Sequence, residues 1–249
     1  MRNIKNQLVG LDSRFEYRGL NQTRIETFSD AVFAVAFTLV VLSSTVPETF
    51  DELRKSIEDI IPSFICIVLI VVIWYQHYVF FIRYGLQNTK TVTVNTLLLF
   101  TLLIYVYPLK FLARFLVELY GGLIFGKPDN FMNDFGGEMN GENMTLLMTA
   151  YGAGATLIFM TMAWLYRHAY KKRDELELDD YESFATKVSL WQNVLMSAIP
   201  FLSTITAFFH PFGQGALNFA VAGFIYMLYP PVMITFGYRV RKKSKQLFG

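Results

Sequence analysis

The chain has 249 residues, of which 53% are hydrophobic, 16% aromatic and only 17% charged, and its mean hydropathy is +0.36. That composition excludes a soluble domain of ordinary make-up and indicates a polytopic membrane protein. The formal net charge of +2 lies scattered between apolar segments, so there is no basic footprint for nucleic acid. The single cysteine, Cys66, rules out an intrachain disulfide and a cysteine-based metal site; inside an apolar run it reads as a packing residue.

Residues 1–23 carry Arg2, Lys5, Arg14 and Arg18 without a continuous apolar core, which argues against a cleavable signal peptide. Ile4, Leu8, Leu11 and Phe15 fall at helical spacing, which fits either a short amphipathic helix on the cytoplasmic membrane surface or a solvated tail. Apolar segments of membrane-spanning length follow near 25–46, 60–82, 91–115, 145–166, 188–209 and 216–237. The expected fold is therefore all-α, with six transmembrane helices within residues 24–238 and a basic tail at 239–249.

The connections alternate in charge. The loop from Ser43 to Asp59 holds Glu48, Asp51, Glu52, Glu58 and Asp59 against Arg54 and Lys55, whereas the next carries Arg83 and Lys90 with no acid. Residues 167–187 add Arg167, Lys171, Lys172, Arg173 and Lys187, and the C-terminus adds Arg239, Arg241, Lys242, Lys243 and Lys245. Basic residues are retained on the cytoplasmic side, so both termini are expected there, in a protein of the cell membrane. The Gly/Asn-rich stretch from Gly121 to Asn143 then faces outward as a surface loop, and residues 171–182 form a charged cytoplasmic linker. Asp134-Phe135-Gly136 and Asn143-Met144-Thr145 match short motifs but lack the contexts that give those motifs meaning.

No nucleophile stands beside a base, and no His and carboxylates cluster at metal spacing, so neither an enzyme nor a bound cofactor is expected. His168 and His210 read as interfacial residues. Polar chemistry concentrates at the first span. Asp30 within a membrane helix costs roughly 2.5–3.5 kcal/mol on insertion scales and needs a partner, for which Arg24 is the nearest candidate. Trp74 and His77 are i,i+3 neighbours on the second span, and Asn95 falls at the same depth on the third. Buried polar groups in lipid seek one another, so Arg24, Ser29, Asp30, Trp74, His77 and Asn95 are expected in one hydrogen-bonded layer. That layer is either a purely structural staple or one that also orients the first helix. Val35, Thr38, Leu39 and Leu42 recur at i, i+3, i+4 and i+7, a stripe that by itself fits a packing seam or a pore lining.

The run Arg24, three residues, Phe28-Ser29-Asp30, then small and aliphatic residues and Thr38-Leu39 resembles the first helix of the transmembrane protein 175 family of endolysosomal and prokaryotic potassium channels. Trp74 with His77, and Asn95 with Pro108, resemble that family's second and third helix signatures, and the likeness covers residues 24 to about 110. The resemblance implies a potassium-preferring channel in the bilayer whose first helices surround the pore. Val35, Leu39 and Leu42 would be the constriction rings and Thr38 the selectivity hydroxyl, although the family commonly has Ile or Leu where Val35 stands. A single-repeat chain of this kind is expected to assemble as a homotetramer. There is no Thr-Val-Gly-Tyr-Gly filter, so potassium preference must come from side chains. The alternative is a secondary transporter using Asp30 as a proton or cation site; it lacks support from any two-half repeat, and Asp30 lies near one membrane face.

Overall fold

In hydrocarbon every backbone N–H and C=O must be satisfied within its own segment, and the apolar segments accordingly fold as helices. The computed structural model describes residues 12–42, 47–125, 141–213 and 216–249, and among these no strand occurs. The helices are α1 (Arg24–Leu42), α2 (Phe50–Glu58), α3 (Ile60–Tyr84), α4 (Thr89–Phe125), α5 (Gly141–Lys171), α6 (Asp180–Phe209), α7 (Ala216–Phe224) and α8 (Tyr229–Phe248). Six helical stretches among the described residues are long and apolar enough to cross a membrane.

Two groups of helices share α4 and α5 as their junction: α1, α3 and α4 pack on one another, and α6 lies along α5 with α7 against it. The common core runs from Phe33 and Val40 of α1 through Ile70 and Phe80 of α3 to Leu98 of α4 and Leu165 of α5, all buried. Cys66 is buried in this core, as its apolar surroundings imply. Ion pairs tie the helix ends. Asp59, just before α3, lies 3.5 Å from Lys110 and 3.9 Å from Arg114 of α4. At the opposite end His168 of α5 shares a 3.0 Å hydrogen bond with Asn88, whose Oδ1 also accepts the Thr91 N–H at 3.0 Å and so caps α4.

Several connections differ from the sequence reading. The stretch from Ser43 to Asp59 contains α2, a short helix whose Phe50, Leu53 and Ile57 share one exposed face. The third span continues well beyond 115, to Phe125, because nothing ends the helix at Pro108; the proline carbonyl instead accepts a hydrogen bond from Tyr151 of α5. Of the stretch from Gly121 to Asn143, residues 126–140 lie outside the described residues, and the flanking parts are helical. The sixth span is broken: a 3-10 turn at Ile225–Leu228 separates α7 from α8, where Pro230 and Pro231 enter the first turn of the new helix. Its basic tail continues α8 as far as Phe248.

The N-terminal stretch departs most. Ile4, Leu8 and Leu11 lie outside the described residues, but from Asp12 to Thr23 the chain forms turns and extended backbone rather than a surface helix, and Phe15 is fully buried. Phe15 meets Tyr84 edge-on at 5.8 Å, and the guanidinium of Arg83 lies 4.8 Å above its ring. The segment docks backbone to backbone on the end of α3, with Gly19 N–H donating to the Ile82 carbonyl at 3.0 Å. A Cβ on Gly19 would sit 2.1 Å from the Phe81 carbonyl oxygen, and Gly85, at φ +58°, ends α3 under the same strap. Only glycine fits either place. Arg18 then closes the dock with a 2.8 Å ion pair to Glu182, whose side chain is almost wholly buried.

Candidate functional site

Helix α1 starts at a capping box. Thr23 Oγ1 accepts the Glu26 N–H at 3.3 Å, and a Glu26 carboxylate oxygen accepts the Thr23 N–H at 2.8 Å. The capping box sets where α1 begins, and its Thr-x-x-Glu spacing is a signal that the sequence reading did not use. One turn later Ser29 is buried, and its hydroxyl donates to the Ile25 carbonyl at 2.8 Å. Asn95 of α4 donates through Nδ2 to Ser29 Oγ at 2.9 Å, and its Oδ1 lies 2.8 Å from Nε2 of His77 on α3. Because the amide N–H is committed to Ser29, Oδ1 is the acceptor and His77 carries its proton on Nε2. The Phe33 and Phe81 rings flank the imidazole at 5.5 Å and 4.6 Å. Three helices thus meet at one buried chain of hydrogen bonds.

Asp30 belongs to a second, exposed limb. Trp74 Nε1 donates to Asp30 Oδ1 at 2.8 Å, and Gln22 Nε2 donates to Oδ2 at 3.3 Å. Adjacent residues on α1 therefore send Ser29 inward, to Asn95 and through it to His77, and Asp30 outward, directly to Trp74. Arg24 joins neither limb. It is exposed, and no ion pair among the described residues includes it. Six positions apart on a helix are not neighbours, since contacts fall at three and four, so Arg24 and Asp30 point in different directions. Sequence inspection also missed Gln22: an uncharged amide in a turn carries no distinguishing signal.

Beyond the anchor, α1 buries a single seam of Ser29, Phe33, Ala36 and Val40. At about 100° per residue, Val35, Thr38 and Leu42 centre on the opposite side of the helix. Val35 is 52% exposed and Leu42 70% exposed, while Thr38, also exposed, donates its hydroxyl to the Ala34 carbonyl at 2.9 Å. Leu39 stands at the edge of this stripe, half-buried against the core. Within the chain Val35, Thr38 and Leu42 are thus uncovered, and they are not the seam that packs α1 onto its neighbours. No group of three or more metal-ligating side chains occurs among the described residues.

Comparison with known proteins bears on this helix first. Residues 24–106 match the family model described as the endosomal/lysosomal potassium channel TMEM175, a range that begins at Arg24 and takes in Ser29, Asp30, Trp74, His77 and Asn95. A potassium channel of Marivirga tractuosa is 53% identical over 247 residues, covering 99% of this chain and 99% of that protein. The crystal structure of the potassium channel MtTMEM175, solved as its T38A variant in complex with a nanobody–MBP fusion protein, superposes with a TM-score of 0.85 at 51% identity, over 94% of this chain and all of that one. With likeness of this extent from end to end, the chain belongs to the TMEM175 family of potassium channels.

Proposed function

We propose that four copies of the chain assemble about an axis in the cell membrane, with α1 innermost, to form a potassium-preferring channel whose two termini lie in the cytoplasm. The observation that carries this reading is the division of α1 into one buried seam and one uncovered stripe. Asp30 is exposed beside that stripe, and a carboxylate facing lipid would be expensive, so this side of α1 belongs against water or another subunit. Rings of Val35, Leu39 and Leu42 would narrow and dewet the pathway, gating it by the cost of stripping water from an ion. Thr38 lies among them, and its hydroxyl oxygen replaces part of that water. A threonine at position 38 is also the residue exchanged in the solved variant of the similar channel.

Val35 and Leu42 make little contact within the protomer, so Val35→Ala and Leu42→Ala should change its stability by no more than about 0.5 kcal/mol while raising conductance. Thr38→Val preserves volume and should lower potassium preference over sodium. Planar-bilayer conductance and reversal potentials under potassium and sodium gradients read both effects; wild-type values for all three variants would remove α1 from the pore. A current that saturates with the stoichiometry of a carrier would favour transport through Asp30 instead.

A further inference from the structure

Away from the candidate pore, the strap at residues 12–18, the first turns of α6 and the last turns of α8 enclose a cleft of about 660 Å³ at the bundle end that holds the described portions of both chain ends. Asp12, Arg14, Arg83, Ser189, Arg241 and Lys245 are among its lining residues. Its one side-chain carboxylate is already engaged: Asp12 accepts from the Tyr181 hydroxyl and from the Arg14 N–H at 3.1 Å. Arg14 is engaged too, lying 4.0 Å over the Tyr181 ring and donating to its hydroxyl at 2.7 Å. Three cations remain without an ion pair among the described residues, one of them, Arg83, lying over the Phe15 ring. No ion pair among the described residues includes Arg83, Arg241 or Lys245. Arg83 holds Ser189 Oγ at 3.3 Å through one terminal nitrogen, but its Nε is buried with no hydrogen-bond partner.

Unneutralised cations round a cleft, one with an unused buried donor, call for an anion with several oxygens. Guanidinium groups match phosphate oxygens, and basic pockets between helices at a membrane face suit phosphorylated head groups. Phe184, Val188 and Val240 give the cleft an apolar wall, and Phe248 packs on Phe184 at 5.6 Å. We propose that this cleft binds a phosphate-bearing anion, a lipid phosphodiester or free phosphate, and thereby ties α8 to α3 and α6.

The test is native mass spectrometry of the full chain in detergent, titrated with phosphatidylglycerol, with phosphatidylcholine as the zwitterionic, net-neutral comparison, whose ammonium offsets its phosphodiester, and inorganic phosphate as competitor. Phosphatidylglycerol should bind at least tenfold more tightly than phosphatidylcholine. Arg241 and Lys245 are exposed, so the double variant Arg241→Gln, Lys245→Gln keeps the fold and should weaken binding about thirtyfold, about fivefold for each basic side chain. Lys242→Gln, Lys243→Gln, on the same helix outside the cleft, should change it less than threefold. Displacement of lipid by inorganic phosphate identifies free phosphate as the occupant, and resistance to displacement identifies the head group. The proposal is overturned if the two lipids bind alike and inorganic phosphate does not bind, or if both double variants lose binding equally.

Discussion

Asn95 is the residue on which the attachment of α1 turns, because one side chain serves both Ser29 and His77. Asn95→Ala would leave the buried His77 imidazole N–H without its acceptor, costing about 1–3 kcal/mol, while the Ser29 hydroxyl keeps its bond to the Ile25 carbonyl. Arg24 has no such obligation. Exposed and unpaired among the described residues, it should tolerate Arg24→Ala within about 0.5 kcal/mol of protomer stability. Thermal unfolding of the two variants in detergent compares them directly, and an Arg24→Ala loss as large as that of Asn95→Ala would restore the carboxylate pairing that the i,i+6 spacing argues against. Ser29, His77 and Asn95 were recognisable in the sequence as polar residues at one depth, yet their order in the chain of bonds was not. Depth follows from position along a helix, whereas order depends on which faces the neighbouring helices present.

At the scale of elements, the strap at residues 12–23 behaves as part of the bundle rather than as a leader to it. Glu182 supports it from two directions: it completes the Asp179 capping box of α6, and it accepts Arg18 at 2.8 Å and the Glu16 N–H at 2.6 Å. Glu182→Ala would remove the closest carboxylate of Arg18 and the acceptor of the Glu16 N–H while leaving Arg18 its bonds to the Glu16 and Glu177 carbonyls, a loss of about 1–3 kcal/mol for the docked segment. Trypsin should then cut at Arg14 and Arg18 much faster than in the wild type, and unchanged cleavage would mean that the strap docks without the pair. Asp12 adds a pH dependence. Partial burial opposes its charge, but the Tyr181 hydroxyl, the Arg14 N–H and the Arg14 guanidinium outweigh that and hold the carboxyl below its ordinary value. A lowered folded-state value means stabilisation that is complete above about pH 4 and is lost as the pH falls further. Hydrogen-exchange protection at Phe15 and Gly19, corrected for intrinsic rate, should stay level from neutral pH to about 5 and fall below about 4. Phe15 looked like one member of a helical stripe because periodicity cannot distinguish a short surface helix from an irregular strap that buries one aromatic ring.

For the whole molecule, the described N-terminal strap and the end of α8 lie at the same end of the bundle, since Arg14 lies over the Tyr181 ring and Phe248 meets that ring edge-on. Orientation then follows from the basic residues gathered there. Cys66 is buried and silent, so Glu48→Cys and Gln246→Cys report on opposite faces without a background change. An impermeant maleimide on intact cells should label position 48 and spare 246; the reverse pattern would invert the topology. The sequence by itself determined the helical class and the number of spans, because a backbone in hydrocarbon has no choice but to bond within its segment. It also marked the first helix, since ionisable and hydroxyl residues in so apolar a run stand out by their insertion cost. Only the tertiary structure decided which partner each polar group took, as with Arg18 and Glu182, whose pairing spans 164 positions. Tertiary packing likewise made Phe33, Ala36 and Val40 the seam of α1 and left Val35, Thr38 and Leu42 uncovered. On a helix apolar all round, composition gives no preferred face, and the contours of α3 and α4 make the choice.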